Sequence, residues 1–404
     1  MFRYSPTLAM NNLIKIRESK NLETYKLGFG QSPFPVPQIL VEALKENAHK
    51  KDYLNSQGLL ELRESISSYV EDKLDTSISP DQIIIGPGSK ELIFLSQLIL
   101  ERNLILPAPS WVSYAPQSAL LKQKTHYIPT RFEDKFLLSP SDLGEFLNDN
   151  KDEKHVLVIN YPNNPTGQSY TTDQLKELAV IARAHNLVII SDEIYSEFCF
   201  GHEHVSIKKF YPEGTIICNG LSKWCGAGGW RLGYMIYPKE MQKELEDLIY
   251  AASESYSCAS TPIQYAAQYA FQNDDTIASY TQKCNYILNQ AQNIFANRLD
   301  QTKMKFHPSA GGFYIFLEFN KDFYKYDSSI KLCNDLLSDT GVALLAGTHF
   351  GMSDEYLSAR LAYVDFNGEE KLNRLKNSYL EDNIINLEQS HLMIATDKMN
   401  NWTN

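Results

Sequence analysis

The chain has 404 residues, 43% of them hydrophobic and 22% charged, with 38 Lys+Arg against 49 Asp+Glu and a net charge of −11. That composition excludes a disordered, collagenous or low-complexity chain, and at roughly 100–200 residues per domain the length provides for two or three domains. The acidic balance excludes a general nucleic-acid binder, which needs a basic footprint, but leaves room for a small anionic ligand held by a few local donors.

Along the chain, Met1 to Asn21 contains no apolar run of signal-peptide length, and nowhere do 18 apolar residues occur together, so no membrane span is expected. A β-branched run, a polar or glycine-containing loop and a helical pattern then recur. Ile83-Ile84-Ile85 leads into Gly86-Pro87-Gly88-Ser89-Lys90, followed by an apolar helical stretch from Glu91 to Leu100. Val156 to Ile159 leads into Asn160-Tyr161-Pro162-Asn163-Asn164-Pro165-Thr166-Gly167, with a helix start at Thr171-x-x-Gln174, a capping box. Leu187 to Ile190 leads into Ser191-Asp192-Glu193, and Thr215 to Cys218 into Asn219 to Lys223. Continuous apolar strands alternating with helices predict an α/β fold with a mainly parallel sheet covered on both faces. Ligands bind beyond the carboxyl ends of such strands, so four polar loops converge on one place.

Beyond about Tyr280 the texture changes, with helices over Tyr286–Arg298 and Ser329–Thr340 flanking strands such as Phe313–Leu317. The expected organisation is a large domain over residues 45–282, a smaller α+β domain from 1–44 and 283–380, and a peripheral C-terminal extension over 381–404. The six cysteines are scattered without a C-x-x-C pair, so neither a disulfide scaffold nor a metal site is expected, and reduced thiols in a cytoplasm are.

Two glycine loops need separating from nucleotide motifs. Gly86 to Glu91 lacks the P-loop spacing, and in Gly226-Ala227-Gly228-Gly229-Trp230-Arg231 an arginine stands where the dinucleotide pattern requires its third glycine. What remains at Gly88-Ser89-Lys90 is a strand-to-helix turn whose free amides suit one phosphate, or an ordinary Gly-Pro turn with a serine cap. Lys223 follows an apolar strand with no nearby carboxylate in sequence. A lysine in such a loop is costly to bury charged and tends to deprotonate, as a Schiff-base nucleophile must. A surface lysine on a flexible loop is the plain alternative.

The stretch Gly220-Leu221-Ser222-Lys223-Trp224-Cys225-Gly226-Ala227-Gly228-Gly229-Trp230-Arg231-Leu232-Gly233 resembles the pyridoxal-phosphate attachment signature of class I (fold type I) aminotransferases. Further motifs of that family follow in order from about Leu27 to Tyr379: Gly30 in Gly-Gln-Ser-Pro-Phe, Tyr53-x-x-x-x-Gly58-x-x-x-Leu62-Arg63, Gly88-Ser89-Lys90, Trp111-Val112-Ser113-Tyr114, Asn164-Pro165-Thr166-Gly167, Ser191-Asp192-Glu193-Ile194-Tyr195 and Arg360-Leu361-Ala362-Tyr363.

The resemblance implies pyridoxal 5'-phosphate as cofactor, with Lys223 joining its aldehyde and then carrying the substrate Cα proton. Asp192 would sit under the ring nitrogen and keep it protonated. Asn164 and Tyr195 would hold the ring 3'-oxygen, and Trp111 would stack on the ring. Gly88, Ser89, Lys90 and Arg231 would surround the phosphate, joined by Tyr53 from a neighbouring subunit, so a homodimer with shared active sites is implied. Arg360 would grip the substrate α-carboxylate bidentately, with Gly30 lining the same pocket. One departure stands out: several relatives carry a hydroxyl residue where this chain has Gly220, so a phosphate contact is lost, or supplied by Ser222 or by water.

By resemblance to one subgroup, Lys90 would reach the distal carboxylate of aspartate. The expected activity is ping-pong transfer of an amino group from an L-amino acid, aspartate first, to a 2-oxo acid such as 2-oxoglutarate. Aromatic or broad donor specificity, and lysis of a carbon–sulfur or related bond, remain alternatives on the same scaffold. A non-catalytic transcription regulator is disfavoured, since only about 25 residues precede the family core and show no helix-turn-helix pattern.

Overall fold

The computed structural model describes residues 5–272, 275–375 and 390–403. Among the described residues eleven strands form two sheets: β1 (Ile83–Gly86), β2 (Asn103–Ala108), β3 (Thr125–Pro129), β4 (His155–Asn160), β5 (Val188–Asp192), β6 (Thr215–Gly220) and β7 (Gly233–Ile236) in one, β8 (Met304–Lys305), β9 (Tyr314–Phe319), β10 (Leu345–Ala346) and β11 (Ser358–Ala362) in the other. The larger sheet has the order β1-β7-β6-β5-β4-β2-β3, and only β7 runs against the rest. The smaller is antiparallel, in the order β10-β11-β9-β8.

The four strands of the larger sheet expected from the sequence form, because each is apolar on both faces, and the one expected over Phe313–Leu317 forms as Tyr314–Phe319. In β4, Val156 and Val158 enter the core on one side of the sheet while Leu157 and Ile159 enter the core on the other. Strands β2, β3 and β7 complete the sheet without having been singled out in the sequence. The helix Thr172–Ala184 starts at Thr171 with the expected reciprocal capping box to Gln174. The helix Ser329–Thr340 has its expected bounds, and the one expected over Tyr286–Arg298 begins earlier, at Asp275.

The expected bounds at residues 44 and 282 both fall within helices. The first position falls inside the helix Gln38–Asn47, which packs on the helix Thr261–Ala267, and the second inside the helix Asp275–Arg298. The N-terminal helix Pro6–Ser19 does reach the smaller sheet, with Met10 and Ile14 buried beside Phe316, Ala343 and Leu345.

The C-terminal extension is not peripheral where it is described; residues 376–389 of it and of the preceding segment lie outside the described residues. Its helix His391–Asn401 packs on the helices Asp275–Arg298 and Ser329–Thr340, with Leu392, Ala395 and Met399 fully buried. Trp402 stacks on Tyr324 and Tyr326 and donates its indole N–H to Asp339 at 3.0 Å. The polar composition masked an apolar stripe at helical spacing, and that stripe docks the helix.

Candidate active site

The carboxyl ends of the central strands place the predicted residues together. In the sheet register Asn160, the last residue of β4, lies beside Asp192, the last of β5, and Asp192 beside Cys218 of β6. A cavity of about 520 Å³ opens above them, lined among others by Gly30, Ser89, Lys90, Asn164, Asp192 and Lys223. Trp111, Tyr195, Arg231 and Arg360 line it too. Tyr53 does not: it is 88% exposed on the outside of the chain.

Lys223 stands in the loop after β6, half-buried, and donates from Nζ to the Gly30 carbonyl at 2.9 Å. The rings of Tyr195 and Phe313 face its ammonium at 5.4 and 5.7 Å. Gly30 has no room for a side chain, because a Cβ there would lie 1.9 Å from the Tyr314 hydroxyl. Glycine therefore lets the N-terminal segment reach both the lysine and the tyrosine.

Asp192 is buried, and burial drives its pKa up to about 6, opposed by the Tyr114 hydroxyl at 2.6 Å, the Ile194 amide at 3.2 Å and the charge of Lys223. Its neighbour Glu193 points to the opposite face, as successive residues of an extended segment must, and meets His204 at 3.0 Å. Tyr114 was quoted in a motif but given no role in the sequence; its contact to Asp192 spans 78 residues and is visible only after folding.

Arg360, on β11 of the smaller sheet, is 2% exposed and has no carboxylate partner among the described residues. Its two terminal nitrogens donate to Asn164 Oδ1 at 2.9 Å and to the Gly28 carbonyl at 2.8 Å, while its Nε is buried without a partner. The rings of Tyr314 and Phe350 sandwich it at 4.5 and 5.0 Å. Burial lowers its pKa. A buried guanidinium without an anion is an expensive group to maintain, and a bound carboxylate would relieve that cost.

Tyr314 is the main residue the sequence reading missed. It is buried between two cations, and although burial alone would raise its pKa, Lys223 and Arg360 outweigh this and lower it. Its hydroxyl meets that of Tyr195 at 2.9 Å, and burial raises the Tyr195 pKa. The only sequence signal was the Gly311-Gly312-Phe313-Tyr314 run at the head of a strand.

The phosphate-type cradle differs in detail from expectation. The Gly88 amide is taken by the Gly86 carbonyl at 2.7 Å, so it is not among the free amides, which belong to Ser89 and Lys90 in the first turn of the helix Ser89–Leu100. Gly88 matters for space: at φ 94° it is left-handed, and a Cβ would sit 2.4 Å from the Arg231 guanidinium. Arg231 donates to the carbonyls of Pro87 at 3.2 Å and Gly228 at 2.9 Å, which ties the two glycine loops together. Lys90 lies 5.0 Å from the Trp111 ring centre, and burial, with the charges of Arg231 and Lys223, lowers its pKa.

Gly220 also has a steric explanation. It pairs with Gly233 across β6 and β7, and a Cβ would lie 2.7 Å from the Leu232 carbonyl and 2.8 Å from the Gly233 Cα. A hydroxyl side chain is excluded by backbone, and Ser222 on the cavity wall is the nearby alternative. Gly220→Ser is therefore expected to lower stability by about 1–3 kcal/mol, measured by denaturant unfolding.

The arrangement thus offers two anion sites, one at the helix terminus with Arg231 and one at Arg360, on either side of a lysine and opposite a buried carboxylate. That donor set fits a flat cationic ring bearing an aldehyde and a phosphate, because each polar part has a group of matching charge.

Comparison with known proteins agrees with this reading. The family model "Aminotransferase class I and II" matches residues 22–365. An aspartate aminotransferase of Pyrococcus horikoshii is 32% identical over 375 residues, covering 90% of this chain and 92% of that protein. The solved aspartate aminotransferase of Thermus thermophilus shares the fold with a TM-score of 0.85 at 24% identity, covering 98% of this chain and 96% of its own. An aromatic aminotransferase of Pyrococcus horikoshii superposes with a TM-score of 0.80 at 27% identity, covering 96% and 97%.

Proposed function

The chain belongs to the class I and II aminotransferases, pyridoxal-phosphate-dependent enzymes, and from that premise we propose that its cavity transfers the amino group of aspartate to a 2-oxo acid such as 2-oxoglutarate. The observation that carries the substrate reading is the buried, anion-free Arg360 beside Lys223 and Lys90 in one cavity. Two cationic ends, Arg360 and Lys90, suit a substrate with two carboxylates.

Bound in the cavity, pyridoxal 5'-phosphate supplies an aldehyde that takes up amines and a protonated ring that draws electrons from the substrate Cα. The residues of the chain do the rest. The guanidinium of Arg360, aimed by Asn164 and the Gly28 carbonyl, fixes the α-carboxylate and thereby the direction of the Cα–H bond. Lys223, within the same cavity, takes that proton and returns it. Asp192, held by Tyr114 and the Ile194 amide, would supply a negative charge to the ring nitrogen. The Tyr195 and Tyr314 hydroxyls, with Asn164, would hold the ring oxygen, Trp111 would cover the ring, and the Ser89 and Lys90 backbone amides with Arg231 would meet the phosphate, which leaves the Lys90 side chain for the substrate. Aspartate and 2-oxoglutarate use one carboxylate cradle in turn, so initial rates are expected to give the parallel double-reciprocal lines of a ping-pong reaction.

The proposal includes a homodimer with shared sites, in which Tyr53, exposed in the single chain, would serve the second subunit. A cytoplasmic location is also proposed; among the described residues no helix is long and apolar enough to cross a membrane.

Formation of glutamate from aspartate and 2-oxoglutarate by the purified protein tests the reading; release of pyruvate or ammonia without glutamate would replace it with a lyase. Lys90→Ala tests the donor. It should lower kcat/KM for aspartate by about 10–100-fold, the worth of one charge-assisted contact, and spare phenylalanine. An equal loss for both substrates rejects the distal-carboxylate role.

A further inference from the structure

At the opposite end of the large sheet from the cavity, His126 of β3, His155 at the head of β4 and Glu153 in the loop before it turn toward one point. Their ligand atoms all lie within 4.8 Å of one another. Glu153 Oε2 is 3.5 Å from His126 Nε2 and 3.6 Å from His155 Nε2. Both Nε2 atoms are buried and without a hydrogen-bond partner, and the His155 side chain is only 2% exposed. Two buried imidazole nitrogens that face one carboxylate oxygen at 3.5 and 3.6 Å, neither of them in a hydrogen bond, are an unusual expense in a folded protein.

We propose that His126, Glu153 and His155 bind one divalent transition-metal ion of the zinc type, with water completing a tetrahedral shell. Bonds of about 2.0–2.1 Å to a tetrahedral ion put ligand atoms about 3.3–3.4 Å apart, so both imidazole-to-carboxylate spacings need only a small closure. The carboxylate is already oriented: Asn103 donates to Oε2 at 2.7 Å, and Lys124 occupies Oε1 at 2.7 Å, which leaves Oε2 as the ligand. The two imidazoles meet edge to face at 76°, and Phe146 packs against both rings.

The ion would clasp β3, β4 and the preceding loop. Asn160, at the catalytic edge of β4, is five residues from His155, about 17 Å along the strand, so the effect is on stability and not on transamination. No sequence spacing signals the site, because β3 and β4 meet only through β2 between them.

Tag-free holoenzyme, stripped with a chelator, should take up one Co²⁺ per chain with visible ligand-field absorption that Zn²⁺ abolishes by displacement. Zn²⁺ should also raise the melting temperature by a few degrees with activity unchanged. His126→Asn and Glu153→Gln, both at half-buried positions that should still fold, should each weaken Co²⁺ uptake at least about tenfold. No uptake by the wild type overturns the proposal. So does uptake that both variants retain, which would place the ion elsewhere, for example on the cofactor phosphate.

Discussion

Lys223→Ala is expected to lower kcat for transamination by about 10⁴-fold or more while leaving the fold intact. The cavity has one amine positioned against Gly30 and between the Tyr195 and Phe313 rings, and the other cations on its wall serve different ends. Lys90 lies toward Trp111, Arg231 is tied to Pro87 and Gly228, and Arg360 is locked on Asn164 and Gly28. None can take over a proton at Cα, so the loss should approach that of removing a positioned general base together with the covalent anchor. Folding should survive, because removing this charge relieves its repulsion with Lys90. The measurement is single-turnover absorbance with excess aspartate, alongside thermal unfolding. A variant that keeps more than about 1% of the wild-type rate would place the proton transfer on another group.

The second large effect concerns Asp192, where activity and stability should move in opposite directions. Under the proposed function Asp192→Asn removes the negative charge that would lie under the ring, and about 10³-fold in kcat is expected to go with it. The folded protein without cofactor, by contrast, should gain stability above neutral pH. The Asp192 pKa is about 6 in the fold against an ordinary value of 3.8. A raised carboxylate pKa means that the folded state binds the proton more tightly than the unfolded state does. That stabilisation is complete below pH 3.8 and is lost as the pH rises through 6. Two units correspond to about 3 kcal/mol, reduced in the variant by the altered hydrogen bond to the Ile194 amide. Cofactor-free wild type should therefore fall behind the variant in denaturant midpoint between pH 5 and 8. Equal midpoints at pH 8 would mean that the carboxylate is not strained. The structure stores cost at Asp192 and Arg360 that cofactor and substrate are suited to repay.

Much of this site was legible in the sequence because the residues of a strand end sit next to their strand. Asn164, Asp192 and Lys223 each follow a run of three or four apolar residues, and such runs bounded by polar loops read as central strands. The turn at Gly88 was legible, but not its left-handed backbone or the space it leaves for Arg231. Tyr314, Tyr114 and the closed space at Gly220 were not. Each depends on an atom more than ten residues away: Tyr195 and Lys223 for Tyr314, Asp192 for Tyr114, and the Leu232 carbonyl for Gly220. The docked C-terminal helix was hidden by its polar composition, although the spacing of Leu392, Ala395 and Met399 carried the signal.

By itself the sequence determined the alternation of strand and helix, the parallel character of the sheet and the identity of the residues at its carboxyl edge, since these follow from local periodicity and turn chemistry. The tertiary structure alone decided what those residues feel. It buried Arg360 without an anion, lifted the Asp192 pKa and set Tyr314 between two cations, because desolvation and Coulomb interaction depend on distance in space and not on separation along the chain. The acidic chain charge of −11 is thus a property of the surface, and the cationic cavity is a property of the fold.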